Sequence, residues 1–462
     1  MQKIWHVNQK KKNKRLLLIT SSGGGGHLQA AQAQRLKALS EDPTTEILQK
    51  DILIDWVGRR FGKGFVLLWN ASQKRGNLSL LSFLSKNIPS ADFFFYLHIF
   101  SRVLYAIIKE DIDQVIDTQP IGTSSIIQAI KWARKITRKP LKLEKIVTEL
   151  PTDQVLHFFK PIKSLNPNNR TFLKLISTNP LLNPNQTADA FWQKNCGLSE
   201  REVSYESLPL RPAFKKFQNI QPLITKHVDI EIQVHSNEEK SLIADTIKLG
   251  QLHAEIHKHK IVITIAPQDK VSTILLGSQP AAEATLKYVQ HYIEMVKKYG
   301  GHERHLLFVF CNSHTGHKNS LLKRVHDLIQ KTIDYPLALN IIPMCFQEDD
   351  VIASLYYRSN ATFTRSGGLT SMELMSVAQG QIWIHSEVKK PNNHQKKVCK
   401  GMPIWEWGNA IYLQKKKGAC FIHPETFVEV CKPYFLPPLG NNLKLIHTAS
   451  RALNSSRVKK IT

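Results

Sequence analysis

The 462-residue sequence holds six cysteines (Cys196, Cys311, Cys345, Cys399, Cys420 and Cys431), and no two of them form a C-x-x-C pair. That spacing suggests neither a zinc site nor a redox dithiol, and free thiols in a reducing compartment are the simplest account. There is no uncharged apolar run of the roughly 18–20 residues that a membrane-spanning helix needs. The nearest approach, Ala91 to Ile108, is interrupted by Asp92, His98 and Arg102. It reads as a core helix, or as one that dips into a bilayer interface. The apolar run before Ser21 is too short for a secretory signal. The location expected from these absences is cytoplasmic, peripheral on a membrane. Negative charge is also scarce. Thirty-seven Asp and Glu stand against 63 Lys and Arg, for a formal charge of +26. Such a surface favours phosphorylated ligands, acidic lipids or nucleic acid, or else serves solubility alone. No aromatic–basic RNA-binding signature is present, so nucleic acid is not an expected partner.

What is there is a repeated rhythm of short strand and helix. A chain of this length implies two domains. In the first half, Leu16–Thr20, Glu46–Leu53, Asp113–Asp117 and Lys145–Thr148 read as strands, with helices at Leu28–Leu39, Gly64–Lys109 and Ser124–Lys135. A less regular stretch, Phe159 to Asn185, follows. The second half restarts with strands at Ile274–Leu276, Leu306–Cys311, Ala338–Pro343 and Ala361–Thr364, and helices at Ala281–Lys298, Ser320–Thr332 and Asp349–Tyr357. Such alternation predicts parallel, doubly wound sheets, whose ligands sit beyond the carboxyl ends of the strands. The expected division is 1–214, a linker or insertion at 215–260, a second domain at 261–435 and a tail at 436–462.

Two glycine turns stand at such strand ends. The first is Ser21-Ser22-Gly23-Gly24-Gly25-Gly26-His27; the second is Arg365-Ser366-Gly367-Gly368-Leu369-Thr370-Ser371-Met372-Glu373. Neither carries the lysine of a P-loop, and neither fits G-x-G-x-x-G well, which disfavours an NTPase or a nicotinamide enzyme. The second turn suits a diphosphate, because a helix N-terminus offers free N–H groups and positive dipole. Glu373, one turn in, can accept two hydrogen bonds from a ribose diol. It equally fits a plain capping box. His27 has proton chemistry available, with an ordinary pKa near ~6.5. Asp111-Ile112-Asp113 mimics a metal-binding D-x-D but precedes a strand, and reads as a solvated turn.

The pair S-x-GGGGH and RSGGLTSMEL resembles the GT-B glycosyltransferases that act on lipid-linked acceptors, such as the peptidoglycan lipid II N-acetylglucosaminyl transferase. The likeness is closer to monogalactosyldiacylglycerol synthase and the bacterial processive diacylglycerol glucosyltransferases. Asp113–Pro120 (DQVIDTQP), Val147-Thr148-Glu149, Leu210–Phe214 (LRPAF) and Ile274–Gly277 followed by a helix support it in the same order. The resemblance spans most of residues 15 to 430.

It implies an α/β fold of GT-B architecture, two Rossmann-like domains facing across a cleft. The implied reaction is inverting transfer of a hexosyl group from a UDP-sugar to a lipid such as diacylglycerol, with no cofactor and no metal. By this resemblance Arg365, Ser366, Gly367, Gly368 and Thr370 surround the diphosphate, and Glu373 holds the ribose. Phe346 and Gln347 flank the uracil, and His394-Gln395 reads the sugar hydroxyls. His27 is the catalytic candidate. Gly24, Gly25, Gly26, Gln119, Pro120, Thr148 and Glu149 form the acceptor side, and an anionic membrane surface is a partner. A protein or small-molecule acceptor is the alternative; a basic nucleic-acid binder on a degenerate scaffold is a distant one. The chain departs from the family at Glu149, where Thr-Asp is usual. It also lacks a glycine-rich loop near Ala266–Val271, and residues 215–260 look additional.

Overall fold

The computed structural model describes residues 13–22, 25–74, 77–86, 93–206, 210–218, 227–277, 281–312, 320–388 and 401–436. Six strands form the first sheet: β1 (Arg15–Thr20), β2 (Glu46–Asp51), β3 (Gln114–Asp117), β4 (Leu143–Ile146), β5 (Leu173–Ser177) and β6 (Val203–Tyr205). Their order is β2-β1-β3-β4-β5-β6, and every pairing is parallel. Leu16, Leu17, Leu18 and Ile19 of β1 are all fully buried, as a parallel strand covered on both faces requires. The stretch expected as strand through Leu53 ends at Asp51. There the Asp51 carboxylate accepts from the Leu53 and Ile54 amides and starts a π-helix, Ile52–Val57.

Around this sheet lie α1 (Gly25–Glu41), α2 (Arg59–Lys74), α3 (Leu78–Lys86), α4 (Tyr96–Lys109), α5 (Thr123–Thr137), α6 (Leu156–Lys163) and α7 (Ala188–Cys196). Asp111 and Asp113 sit in the turn between α4 and β3, and Lys139 Nζ meets both carboxylates, at 2.6 and 2.7 Å. The D-x-D is therefore a turn bridged by one lysine.

The second parallel sheet has the order β12-β11-β10-β13-β14-β15. Its strands are β10 (Lys270–Leu275), β11 (His305–Phe310), β12 (Leu339–Met344), β13 (Ala361–Thr364), β14 (Gln381–His385) and β15 (Cys420–Ile422). The strand expected at Ile274–Leu276 starts four residues earlier, at Lys270. The loop that follows it therefore carries Gly277, at φ +84°. No glycine is needed at Ala266–Val271, because Ala266 to Asp269 is the turn into β10, and Lys270 and Val271 already belong to that strand.

Residues 215–260, expected as a linker or insertion, are largely folded into this half. β7 (Val228–Gln233), β8 (Ala254–Ile256) and β9 (Lys260–Ile265) form an antiparallel sheet, with α8 (Asn237–Leu249) beside it. Ile230, Ile232, Ile261 and Ile263 pack with Leu306, Phe308 and Ile342 in one core. The remaining helices used below are α9 (Ala282–Tyr299), α10 (Leu321–Gln330), α11 (Asp349–Arg358), α12 (Gly368–Val377), α13 (Ile404–Lys417) and α14 (Phe427–Phe435).

Two joints fix the halves against each other. Leu150, Leu210, Ala213 and Phe214 are buried among Tyr356, Met372 and Leu374 of the second half. Trp69 and Leu81 of the first half pack on Trp405 of the second. The result is the expected architecture: two doubly wound sheets facing across a cleft.

Candidate functional site

The cleft encloses a cavity of about 490 Å³. Both glycine turns reach it. Gly25, Gly26 and His27 open α1 on one wall, and Gly367, Gly368 and Thr370 open α12 on the other. They nearly touch: a Cβ placed on Gly26 would lie 3.9 Å from Leu369 Cβ.

His27 is held by its own half. Its Nδ1 lies 2.9 Å from the Thr118 carbonyl oxygen and 3.1 Å from Thr148 Oγ1. A carbonyl only accepts, so Nδ1 carries the proton and Nε2 is left as the basic nitrogen. Burial pushes the imidazole down to about 4. The Thr118 bond opposes that, nearby Lys145 adds to it, and Asp51 opposes it. The ring is therefore neutral at pH 7.

Beneath it lies a buried ion pair, Lys145 Nζ to Asp117 Oδ2 at 2.6 Å, between register partners on β4 and β3. Asp117 also takes the Gln119 amide at 3.0 Å, and Gln119 Oε1 accepts from the Ile121 amide at 2.7 Å. Gln119, expected on the acceptor side, is thus turned into the protein, because Asp117 and Ile121 use up its amide. Pro120 and Ile121 line the cavity in its place.

Opposite, Gly368 starts α12 directly beneath β4's loop. A Cβ there would collide with the Thr148 carbonyl and come within 2.6 Å of Glu149 Oε2, so only glycine fits. The Glu149 carboxyl accepts from Asn409 Nδ2. The same Nδ2 donates to the Ser366 carbonyl at 2.9 Å, and Asn409 Oδ1 accepts from the Leu150 amide at 2.8 Å. One α13 side chain thus ties β4's loop to the second glycine turn. Burial pushes Glu149 up to about 8; the Asn409 bond opposes that, and Glu406 adds to it.

A carboxyl raised this far costs stability wherever the unfolded chain would have it ionised, because folding must then protonate it or bury its charge. The cost is absent below about pH 4.5 and grows as pH rises, reaching on the order of 4 kcal/mol at pH 8 and above. Glu149→Gln keeps the Asn409 bond and removes the charge. Melting curves should coincide with wild type at pH 4.5 and lie several degrees higher at pH 8.5.

The other expected donor-side residues divide. Arg365 lines the cavity, with its Nε 3.6 Å from Glu406 Oε2 and Nη1 donating to the Gln73 carbonyl at 3.3 Å. Ser366 does not: its hydroxyl donates to the Glu406 carbonyl at 2.8 Å and is buried away. Glu373 lines the cavity and is clamped by Arg211 through Nε at 2.6 Å and Nη2 at 2.9 Å, while Arg211 Nη1 reaches Asp349 at 2.5 Å. Burial pushes Glu373 up to about 7 against the pull of Arg211.

Phe346 stands at the rim, 60 % exposed. Gln347 acts as a strand partner: its Oε1 accepts from the Gln233 amide at 2.8 Å and its Nε2 donates to the Gln233 carbonyl at 2.9 Å. Its amide is therefore spent on β7. Gly24, His394 and Gln395 lie outside the described residues.

No protein-family model matches the chain, and no curated protein matches it in sequence. Among solved structures, it is similar to MurG of Acinetobacter baumannii, with 13% identity over 92% of this chain and 90% of that one and a TM-score of 0.40. Arabidopsis thaliana UGT89C1, complexed with UDP-L-rhamnose, gives 11%, 96%, 94% and 0.43. The UDP-GlcNAc 2-epimerase of Neisseria meningitidis, bound to UDP-GlcNAc, gives 12%, 91%, 99% and 0.40. The functional reading rests on the site itself.

Several cavity residues escape sequence reasoning. Arg211 lies inside the LRPAF motif, but nothing local says that its partner is Glu373. Trp69, His157, Trp405 and Glu406 line the cavity without any motif, and Asn409 joins its walls from a helix with no signature.

Proposed function

We propose that the protein is an inverting glycosyltransferase that moves a hexosyl group from a UDP-sugar to a lipid acceptor at a membrane surface. The observation that carries this reading is the meeting of a histidine turn and a glycine-started helix across one cavity. The N-terminus of α12 would take the diphosphate, through free N–H groups at Gly368 to Thr370 and the helix dipole. Arg365 lies beside it. Below about pH 8 Glu149 is neutral and brings no competing charge to that place.

Glu373 remains suited to a ribose. A carboxylate offers about four lone-pair sites, and Arg211 occupies one on each oxygen. Two sites stay for the diol, and Arg211 fixes their direction. Phe346 would flank the uracil, while Gln347 positions it. On the opposite wall, the acceptor hydroxyl oxygen attacks the anomeric carbon. The bond to the diphosphate breaks, UDP leaves with the electron pair, and the proton passes to His27 Nε2. Negative charge growing on the leaving group is met by α12. No step calls for a metal or cofactor.

The acceptor's class is supported by the surface of α2, α3 and α4. Phe61, Leu67, Phe83, Leu97 and Tyr105 are all more than half exposed, as are the neighbouring Phe93 and Phe94. Arg60, Lys63, Arg102 and Lys109 share these helices and are exposed too. Aromatic and basic residues interleaved on adjoining helices suit an anionic bilayer surface. No described helix is long and apolar enough to cross a membrane.

A mass-spectrometric screen of UDP-sugars against lipid extracts tests the reading. A hexosylated lipid is expected, formed on anionic vesicles and declining as salt rises. Turnover that ignores vesicles and favours soluble acceptors would replace the lipid with a small molecule.

A further inference from the structure

Lys145 and Asp117 are fully buried register partners on the two middle strands of the first sheet. Stability alone does not call for their ion pair, since an apolar pair of similar volume serves a core as well or better. The pair closes a knot around one turn. Lys145 Nζ binds Asp117 Oδ2 at 2.6 Å and donates to the Gln119 carbonyl. Asp117 Oδ1 accepts from the Gln119 backbone N–H at 3.1 Å and from its Nε2 at 3.0 Å. That Nε2 also donates to the Ile121 carbonyl at 2.6 Å, and Gln119 Oε1 accepts from the Ile121 N–H at 2.7 Å. Thr118 sits inside the knot. Its N–H donates to the Ile19 carbonyl at 3.0 Å, and its Oγ1 donates to the His27 carbonyl at 3.1 Å. Its own carbonyl is thereby aimed at His27 Nδ1, 2.9 Å away.

We propose that the Lys145–Asp117 pair is a positioning device for His27: by fixing the Thr118 carbonyl, it selects the imidazole tautomer that carries its proton on Nδ1. The catalytic consequence rests on the glycosyltransferase reading; the tautomer does not. Two oxygens face Nδ1, and they are not equivalent. The Thr118 carbonyl can only accept, whereas the Thr148 hydroxyl, at 3.1 Å, can also donate. With the carbonyl in place Nδ1 must hold the proton, and Nε2 keeps its lone pair for the acceptor hydroxyl. With the carbonyl turned away, the Thr148 hydroxyl satisfies Nδ1 in either form. The proton can then sit on Nε2, where the ring is no base for the acceptor. The same lysine also backs the ring beside His27: its Nζ lies 5.8 Å from the centre of the Phe158 ring, which lies 6.0 Å from the imidazole. Lys145 and Asp117 touch no substrate in this scheme, and act only through the 117–121 turn.

Two double variants test this. Lys145→Met/Asp117→Asn removes both charges and keeps the oxygen that Gln119 uses; Lys145→Met/Asp117→Leu removes that oxygen as well. Neither strands a buried charge, so both should melt near wild type. If the second does not fold, the first decides. Two-bond ¹H–¹⁵N spectra of histidine-labelled protein read the tautomer, with the His27 signals assigned from His27→Asn. Wild type should show the Nδ1–H form alone, and the variants a mixture with Nε2–H. Their kcat should fall about tenfold or more, part of the roughly 10²–10⁴-fold that a positioned base supplies, while UDP affinity stays at the wild-type value. Nε2–H in wild type, or Nδ1–H alone in every folded variant, overturns the lock. A mixed tautomer with unchanged kcat overturns its role in the reaction. A mixed tautomer in variants of a protein that transfers from no UDP-sugar leaves the lock standing and overturns the glycosyltransferase reading.

Discussion

Arg211→Ala is expected to lower stability by about 3–5 kcal/mol at pH 8. The guanidinium is buried and binds both oxygens of Glu373 as well as Asp349. Removing it strands a carboxylate in the core, which is costlier than losing an ordinary surface pair. The sign of the pH dependence follows. Glu373 is already raised to about 7 with Arg211 present, and it rises further without it. A raised carboxyl loses stability as pH climbs from its unfolded value near 4.5 toward its folded value. The defect should therefore be small at pH 5 and full at pH 8, as read by urea denaturation. Arg211→Ala/Glu373→Gln should regain most of the stability, since the stranded charge is gone. It should not regain UDP binding, because an amide replaces the carboxylate that faces the ribose. Undiminished UDP affinity in Glu373→Ala would sink the ribose assignment.

His27→Ala should lower kcat by roughly 10²–10⁴-fold, the usual range for a positioned general base. UDP affinity should stay at the wild-type value, since the imidazole is fixed to Thr118 and Thr148 on the opposite wall from α12. A base must be unprotonated, so kcat/KM in wild type should rise with pH through about 4 and be flat from pH 6 to 8 as far as His27 is concerned. His27→Asn is the sharper control, because its amide can keep a bond to the Thr118 carbonyl without offering a proton acceptor of comparable basicity. Full activity in either variant would remove His27 from the reaction.

The sequence makes legible what depends on local pattern. Leu16-Leu17-Leu18-Ile19 followed by glycines and a small-residue helix can hardly be anything but a strand, a turn and a helix start, and the Arg365–Glu373 segment repeats that logic. Leu173–Ser177 and Val203–Tyr205 were less visible as strands. They are short, lie toward the sheet's edge, and are surrounded by Asn and Pro that dilute any period. Side-chain direction at the site was the larger gap. Ser366, Gln119 and Gln347 sit where the motifs place them, yet each side chain is turned by its partners: the Glu406 carbonyl for Ser366, the Gln233 backbone for Gln347, and for Gln119 its near neighbours Asp117 and Ile121. Asn409 is the extreme case. Its three bonds join segments far apart in the chain, and no spacing rule could announce them.

Asn409 also decides what an anion meets at the cleft. It belongs to the second domain but holds the Glu149 and Leu150 loop of the first against the start of α12. Its bonds go to that loop and to the Ser366 carbonyl, not to the N–H groups of Gly368 to Thr370. An anion docking there therefore meets a helix start whose place against the first domain is already set, and none of its binding free energy goes to setting it.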